Sequence, residues 1–524
     1  MKSNIKVLDC TLRDGGYINN WDFGVNATKF IITQLYKANI DCIELGFLSV
    51  ENATESQTIF NSVDKLKHFI PNINVKNRLF GMITYDKYPI DYLPDIQQSP
   101  IAGIRVIFKK NQIDGALEYC KQVKQRGYKL FINPTFIDQY SDKELLDLIQ
   151  KINKIFPCGM AIVDSMGTLR ERDIIRLSYI IDNNLHKDIA ICFHSHNNLQ
   201  LSFPNAQCLI KSCQHRELII DSTVFGMGRG AGNLCTELIT QYINDNHNGQ
   251  YNLIPILKIV DELINPIFIQ SPWGYSVPYY LAATNHCHPN YAKYLVDKQT
   301  VSVETINSLL NMIPTTQKAT YDSNLIKHLY LDKLSNSIDD KDVLEQLSLQ
   351  IKDKNILLLG PGKTLKTEEQ IINDFISEHS PYIISLNFIP KDYKVDLVFV
   401  TNIKRFDSLL DINCKVMLTS NIKNPPKDSY IVNYYSYLND SAMYDNVVLM
   451  LLKLFEKINI KQVYIAGLDG FSTLPSENYI DKKMVNNAKI GEFFDERNQI
   501  MSAELAKISK NISINFITKT KYQN

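Results

Sequence analysis

The feature that most constrains this chain is a series of eight short apolar runs between Ile5 and Asn233, most of them followed by a helical pattern. The runs are Ile5–Leu8, Cys42–Leu48, Leu79–Thr84, Ile104–Phe108, Leu130–Asn133, Met160–Val163, Ile189–Phe193 and Leu218–Val224. Their apolarity is nearly continuous, which is typical of parallel strands buried on both faces. Eight such units in roughly 250 residues predict a (β/α)8 TIM barrel. A doubly wound open sheet is the alternative, but no glycine fingerprint follows the first run.

The rest of the chain predicts two further parts. From Asn252 to about Leu334 the apolar residues follow helical spacing, which indicates a helical extension of the barrel. After a charged segment, the apolar run Ile356–Leu359 leads into a glycine turn and a helix, and further apolar strands follow. We therefore expect a barrel domain over 1–250, a helical extension over 251–340 and a smaller C-terminal α/β, Rossmann-like domain over 341–524. The role of this last domain is not assigned.

Composition argues against several classes of protein. The 56 basic residues balance the 56 acidic ones, so no global field favours nucleic acid or an anionic membrane. The chain has no apolar signal region at its start and no run of about 18 apolar residues that would span a bilayer. Its 10 cysteines are scattered without CxxC pairs, which is typical of reduced thiols. We expect a cytoplasmic protein without nucleic-acid or membrane partners.

Polar side chains cluster where the apolar runs end. Arg13 and Asp14 follow the first run, His194 and His196 end the seventh, and a glycine-rich loop over 226–233 follows the eighth. In a barrel these ends open on one face, where active sites lie. Side chains two apart on a strand share a face, so both imidazoles can point at one atom. One carboxylate and two imidazoles then predict a divalent-metal site with open positions.

Three further features are predicted to lie close to this metal site, namely Arg13, Asn233 and the glycines after Asp14. Arg13 cannot act as a base, but next to a metal-bound 2-oxo acid it can stabilise a developing enolate oxygen. The alternative is a salt bridge at the barrel rim with Asp14 or Glu44. Asn233 could orient a ligand or bind the metal directly, and the glycines after Asp14 are expected to let the polar turn bend sharply.

Three motifs carry a family resemblance. The segments Asp9-x-Thr11-Leu12-Arg13-Asp14-Gly15, His194-x-His196 and Gly228-x-Gly230-Ala231-Gly232-Asn233 resemble the signatures of the DRE-TIM metallolyase superfamily. That superfamily includes hydroxymethylglutaryl-CoA lyase, isopropylmalate synthase and 4-hydroxy-2-oxovalerate aldolase. The resemblance implies a (β/α)8 barrel with a divalent metal held by Asp14, His194 and His196. It also implies that Arg13 stabilises the enolate.

The glycine-rich loop and the helical extension look most similar to the hydroxy-oxovalerate aldolase branch. In that branch a tyrosine from the extension approaches the substrate, which implies this role for Tyr275. One departure stands out, because those aldolases carry an acid/base histidine where this chain has Tyr17. An unperturbed phenol, with a pKa near 10, is a weaker base than imidazole at neutral pH. The sequence therefore leaves three alternatives. Tyr17 transfers the proton with a shifted pKa, a metal-bound water transfers it, or the chain catalyses a different reaction.

The predicted function is that of a metal-dependent carbon–carbon lyase of the aldolase type. It would act through the metal-chelated enolate of a pyruvate-type 2-oxo acid and an aldehyde, with Mn²⁺ or Mg²⁺ ahead of Co²⁺ or Zn²⁺, and no other cofactor. A homodimer is expected for such an enzyme. Fusion to an α/β domain suggests surface-polysaccharide or sugar-acid metabolism by association. The alternatives are a Claisen-type acyl-CoA condensing transferase of the isopropylmalate synthase kind and a non-catalytic barrel scaffold.

Overall fold

A computed structural model of the chain describes residues 4–51, 53–298, 301, 303–334, 338–409, 412–439, 441, 443, 445–472, 477–481, 484 and 492–522. The chain divides into two compact units, the first comprising Met1–Lys293 with Ile313–Tyr321 and the second Tyr294–Met312 with Asp322–Asn524. Among the described residues, no helix is long and apolar enough to cross a membrane. The three-part division at residues 250 and 340 stays a prediction.

The first unit contains a closed barrel of eight parallel strands. The strands are β1 (Ile5–Asp9), β2 (Cys42–Leu48), β3 (Leu79–Thr84), β4 (Gly103–Phe108), β5 (Lys129–Pro134), β6 (Gly159–Asp164), β7 (Ala190–Ser195) and β8 (Leu218–Ser222). Each pairs with its neighbour in sequence, and β1 pairs with both β2 and β8, which closes the barrel. A two-residue strand, Ile59–Phe60, adds to β2. The predicted TIM barrel is thus confirmed.

Helices follow most of these strands and continue beyond the barrel. The barrel helices are Gly16–Asn19, Val25–Lys37, Val63–Phe69, Ile113–Gln125, Asp142–Ile155, Glu171–Asn184, Ser202–Ser212 and Thr236–His247. The extension contains Leu253–Ile259, the π-helical Val260–Ile264, Asn265–Gln270, Val277–Thr284, Pro289–Lys298, Val303–Met312 and Ser323–Leu334. The segment predicted as a helical extension is therefore helical, and its helices are shared between the two units.

The helix Asp142–Ile155 shows how local sequence fixes a barrel helix. Ser141 and Glu144 form a capping box, which satisfies backbone N–H groups at the helix start. Apolar residues recur at helical spacing from Leu145 to Ile152, and this face is buried. The helix ends where Phe156 adopts a left-handed conformation.

The barrel interior changes from apolar to charged along the strands. Its apolar cluster includes Cys42 on β2, Cys192 on β7 and Ile219 on β8. Side chains alternate along a strand, so the residue two places further on faces the same interior. Those residues are Glu44, His194 and Asp221, and all three are buried. The strands therefore place charged groups inside the barrel, towards its carboxyl end.

The second unit contains a seven-stranded parallel sheet. Its strands are β9 (Ile356–Leu359), β10 (Tyr382–Leu386), β11 (Leu397–Val400), β12 (Lys415–Thr419), β13 (Tyr430–Val432), β14 (Gln462–Ala466) and β15 (Ser513–Phe516), in the spatial order β13-β12-β11-β10-β9-β14-β15. The unit's remaining helices are Lys341–Ile351, Thr364–Thr367, Glu369–His379, Ile403–Asp407, Val447–Lys457 and Glu492–Ile508. This arrangement agrees with the predicted α/β domain, although β15 is not apparent from sequence.

Candidate metal centre

Arg13 and Asp14 lie in a single π-helical turn, Thr11–Gly15, that follows β1 and is buried throughout. Such turns occur frequently at functional sites. Gly15 and Gly16 have ordinary helical φ angles of −59° and −57°, so the expected sharp glycine bend is wrong. Gly16 instead allows a close approach, because a Cβ there would lie 2.1 Å from Cδ1 of Trp21. The indole Nε1 of Trp21 donates a hydrogen bond to the carbonyl of Arg13, at 2.7 Å.

The structure brings the predicted carboxylate and imidazole pair together. Oδ2 of Asp14 lies 3.1 Å from Nε2 of His194 and 4.0 Å from Nε2 of His196. All three side chains are buried. Among the described residues, no group donates a well-directed hydrogen bond to Oδ2 of Asp14. A buried carboxylate oxygen that faces two imidazole nitrogens fits a divalent cation.

Asn233 lies beside this group, on the glycine-rich loop. It forms an isolated antiparallel bridge with His196, and its Nδ2 donates to the carbonyl of Met227 at 3.2 Å. Its Oδ1 is buried without a hydrogen-bond partner in the described part of the chain. An amide oxygen is a suitable ligand for a hard divalent cation. The position therefore fits the fourth ligand that the sequence suggested.

Cys10 also approaches the site, which sequence reasoning missed. Its Sγ belongs to a group with Asp14 and His194 whose ligand atoms lie within 4.8 Å of one another. Burial raises the pKa of the Cys10 thiol well above its usual value, and Sγ contacts the carbonyl of Ser222 at 3.3 Å. Because the thiolate is the metal-binding form of cysteine, a protonated Cys10 is a poorer ligand than the imidazoles.

Arg13 is held by two carboxylates. Its Nε donates to Oε2 of Glu44 at 2.8 Å, and its Nη1 lies 3.0 Å from Oδ1 of Asp14. The predicted alternative of salt bridges with these two acids is therefore present in the structure. It does not exclude the enolate role, because Nη2 takes part in neither bond. Burial would raise the pKa of Asp14, but Arg13 and both histidines together hold that pKa well below its usual value.

Arg105 and Asp221 complete a closed ring of charged side chains below the site. Arg105 lies 3.2 Å from Glu44 and also donates to Oδ2 of Asp221. The same Asp221 oxygen lies 3.1 Å from Nδ1 of His194. The ring therefore runs through Arg13, Glu44, Arg105, Asp221, His194 and Asp14. Asp221 orients the imidazole so that its Nε2 faces Asp14.

The two imidazoles differ in their protonation. Burial alone would lower the pKa of His194, but Asp14 and Asp221 outweigh it and raise that pKa above its usual value. Burial lowers the pKa of His196 to about 3, so this imidazole is neutral. A metal bound here would therefore replace a proton on His194.

Sequence reasoning did not identify Arg105 and Asp221. A signal for both exists, because each is a charged residue inside an otherwise apolar strand that is buried on both faces. Such a residue is rarely buried without a charged partner. The partners themselves could not be found from sequence, because they lie on other strands.

The predicted catalytic tyrosines differ in their placement. The Tyr17 ring lies 5.2 Å from the guanidinium carbon of Arg229, a residue of the glycine-rich loop. Tyr17 is 41% exposed, and partial burial raises the pKa of its phenol, although Arg229 opposes this effect. Tyr275, in contrast, is 59% exposed. Its neighbour Trp273 does reach the loop, where Nε1 donates to the carbonyl of Phe225 at 3.1 Å.

Comparison with known proteins identifies the barrel. Residues 106–261 match the HMGL-like family model. The oxaloacetate decarboxylase of Mycobacterium tuberculosis is 22% identical over 276 residues, which cover 52% of this chain and 79% of that protein. The barrel is a DRE-TIM metallolyase domain. The proteins that match the barrel include a decarboxylase and aldolases, and the chain is a metal-dependent carbon–carbon lyase.

Two further proteins are similar to the metallolyase domain. The 4-hydroxy-2-oxovalerate aldolase of Pseudoalteromonas translucida is 23% identical over 271 residues, which cover 50% of this chain and 76% of that protein. The crystal structure of the N-terminal domain of a proposed aldolase from Bacteroides vulgatus is 27% identical, with a TM-score of 0.49. That similarity covers 57% of this chain and 98% of the solved domain.

Proposed function

We propose that this chain is an aldolase that joins or separates a pyruvate-type 2-oxo acid and an aldehyde, with a divalent metal. The observation that carries the proposal is the convergence of Asp14, His194 and His196 beside the buried Arg13. In cleavage, the bond between C3 and C4 of a 4-hydroxy-2-oxo acid breaks. The hydroxyl group loses its proton as the aldehyde forms, and C3 of the enolate gains one.

Asp14, His194, His196 and Asn233 are the proposed metal ligands. A ligand set of carboxylate, imidazole and amide oxygen suits Mn²⁺ or Mg²⁺, with Co²⁺ and Zn²⁺ as alternatives. When bound, such an ion supplies Lewis-acid polarisation of the 2-oxo acid. The orphaned Oδ2 of Asp14 and Oδ1 of Asn233 support this assignment.

Arg13 is the proposed stabiliser of the enolate oxygen. Its guanidinium is fixed in place by Glu44 and Asp14, so little reorganisation is needed as negative charge develops. Its permanent charge makes it a donor of hydrogen bonds at every working pH. Both properties fit electrostatic stabilisation and exclude a role as base.

Tyr17 is the proposed proton donor to the aldehyde oxygen in the condensation direction. A phenol whose pKa is raised keeps its proton at neutral pH, and it is therefore a better acid than base there. In the cleavage direction the same group takes this proton back from the hydroxyl, and Tyr275 or a water is the alternative to Tyr17 in both directions. The role of Tyr275 is proposed from the approach of Trp273, two residues away, to the glycine-rich loop.

The test is pyruvate release from 4-hydroxy-2-oxo acids with Mn²⁺, before and after chelation. We expect chelation to abolish activity and added Mn²⁺ to restore it. Asp14→Ala should lower kcat/KM by roughly a thousandfold, since several kcal/mol of stabilisation are lost with the ion. Asp91→Ala is the matched control, because the Asp91 side chain is 90% exposed. Activity that ignores the chelator, or that survives in Asp14→Ala, would refute the proposal.

Decarboxylation of a 2-oxo dicarboxylic acid is a second candidate, favoured by the Mycobacterium tuberculosis relative. It would proceed through the same enolate, and carbon dioxide release from oxaloacetate would reveal it. An acyl-CoA condensation would instead release free thiol, and a scaffold would bind metal without any carbon–carbon chemistry. A homodimer, a cytoplasmic location and a place in surface-polysaccharide or sugar-acid metabolism stay predictions.

A further inference from the structure

Arg229 differs from Arg13 and Arg105 because no carboxylate of the described residues neutralises it. Arg13 and Arg105 each contact two carboxylates. Across the described ranges, by contrast, no acidic side chain forms an ion pair with Arg229. Its Nε is buried and lacks a hydrogen-bond partner among the same residues. A partly buried guanidinium with an N–H that lacks a protein partner is a group that binds anions.

The neighbour of Arg229 is a neutral imidazole rather than a counterion. Nη1 of Arg229 lies 3.1 Å from Nε2 of His288. Burial, together with the charges of Arg229 and Lys109, lowers the pKa of His288 to about 3. Lys109 directly follows β4 and contacts Oγ1 of Thr320 at 3.4 Å. The charge of Arg229 is therefore left unbalanced, with a second cation close to the same imidazole.

Arg229 lies on the Tyr17 side of the site. Its guanidinium carbon is 5.2 Å from the Tyr17 ring, and its charge also acts on His196. The loop that carries it is anchored where the backbone N–H of Ala231 donates to Oδ1 of Asn198, at 2.9 Å. Arg13 is the proposed stabiliser of the 2-oxo acid's enolate, whereas Arg229 contacts Tyr17, the proposed proton donor to the aldehyde. An anion on Arg229 would therefore belong to the other reactant.

We propose that Arg229 binds an anionic group of the acceptor aldehyde, so that the aldehyde carries a carboxylate or a phosphate. This inference rests on the proposed aldolase function. His288 is the positioning residue, because it occupies Nη1 while Nε has no partner among the described residues. Both anions would be recognised by the same charge-assisted hydrogen bonds.

The test compares aldehydes that differ mainly in charge, in condensation with pyruvate and Mn²⁺. The pairs are succinic semialdehyde with butanal, and glyceraldehyde 3-phosphate with glyceraldehyde. We expect at least one anionic aldehyde to exceed its neutral partner in kcat/KM by roughly tenfold to hundredfold, the range of a charged hydrogen bond. The pair with the larger ratio identifies carboxylate or phosphate. Equal values within each pair would overturn the inference while leaving the aldolase function intact.

Variants at Arg229 separate recognition from folding. Arg229→Gln should abolish the preference by raising KM for the anionic aldehyde far more than KM for its neutral partner, with KM for pyruvate unchanged. Arg229→Lys should retain part of the preference. Arg172→Gln is the matched control, because the Arg172 side chain is 83% exposed. If Arg229→Gln raises KM for pyruvate equally with every aldehyde, Arg229 binds the 2-oxo acid and the inference is wrong. If no aldehyde reacts at all, the proposed function fails and this inference fails with it.

Discussion

Arg105 neutralises two carboxylates in the barrel interior, although only 1% of its side chain is exposed. Glu44 and Asp221, its partners, are equally withdrawn from water. Burial of a charge is costly unless it is paired and hydrogen-bonded, so each member of the ring depends on its neighbours. The ring also orients His194 through Asp221. Through these contacts, Arg105 contributes both to the stability of the barrel and to the orientation of His194, a proposed metal ligand.

We predict that Arg105→Met lowers the free energy of unfolding by about 3–5 kcal/mol, because two buried carboxylates lose their counterion. Urea denaturation of the metal-free protein would measure the loss. Arg176→Met is the control, since Arg176 pairs with Asp142 at the surface. That change should cost less than about 1 kcal/mol. Equal losses for the two variants would contradict the interpretation of the ring.

Asp164 gives a pH dependence whose sign can be worked out. Burial raises the pKa of Asp164 to about 7 in the folded state, although the backbone N–H groups of Thr168 and Leu169 donate to it. Its pKa in the unfolded chain is about 3.9. Between these values the folded state binds the extra proton. This carboxyl therefore contributes stability at low pH that is lost as the pH rises towards 7.

We predict that the wild type loses about 2–3 kcal/mol relative to Asp164→Asn between pH 5 and pH 8. Chemical denaturation of both proteins across this range would test the difference. Other titrating groups are common to both proteins and cancel in the comparison. A difference that does not change with pH would show that Asp164 is ionised in the folded protein at pH 5.

At the scale of the element, the π-helical turn after β1 depends on its two glycines for space rather than for flexibility. A Cβ on Gly16 would meet the rigid indole of Trp21 at 2.1 Å. A Cβ on Gly15 would meet the side chain of Met227 at 3.1 Å. Methionine can move aside because it has three rotatable bonds, whereas the indole is held by its hydrogen bond to Arg13.

We predict that Gly16→Ala lowers the free energy of unfolding by about 1–3 kcal/mol, as overpacking does. Gly15→Ala is the matched control, one residue away and also in a helical conformation, and it should cost under about 1 kcal/mol. Thermal unfolding with tryptophan fluorescence would report both the stability and the displacement of Trp21. A larger cost for Gly15→Ala would refute this account.

The strands could be predicted from sequence more fully than the side-chain contacts between them. Each barrel run coincides with a strand to within two residues at either end, because a strand buried on both faces has a continuous apolar signature. The strand Ser513–Phe516 was missed, since its four residues alternate and are only partly buried at best. The convergence of Asp14 with both histidines followed from the barrel topology. The ring through Arg105 did not, because its contacts depend on side-chain reach between non-adjacent strands.

At the scale of the whole molecule, the chain builds two units, and each has its own parallel sheet and apolar core. The proposed metal ligands all belong to the first unit. A ligand stabilises the part of a protein that binds it, by about 2.7 kcal/mol at a hundred times its Kd. The two units should therefore respond differently to Mn²⁺.

We predict two transitions in calorimetry of the full chain, of which Mn²⁺ raises the midpoint of only one. The shift should be absent in Asp14→Ala, while its other transition stays where it is in the wild type. A single transition that moves as a whole with Mn²⁺ would show that the units unfold together.

The first unit is not one continuous stretch of chain. It comprises Met1–Lys293 and, after a segment that belongs to the second unit, Ile313–Tyr321. In Ile313–Tyr321, the Tyr321 ring stacks on His288, with ring centroids 6.0 Å apart. The carbonyl of Thr320 accepts a hydrogen bond from the Tyr291 hydroxyl, at 2.8 Å. During synthesis, all eight barrel strands have left the ribosome well before this segment appears. A nascent chain can therefore close its barrel before it gains the support for His288.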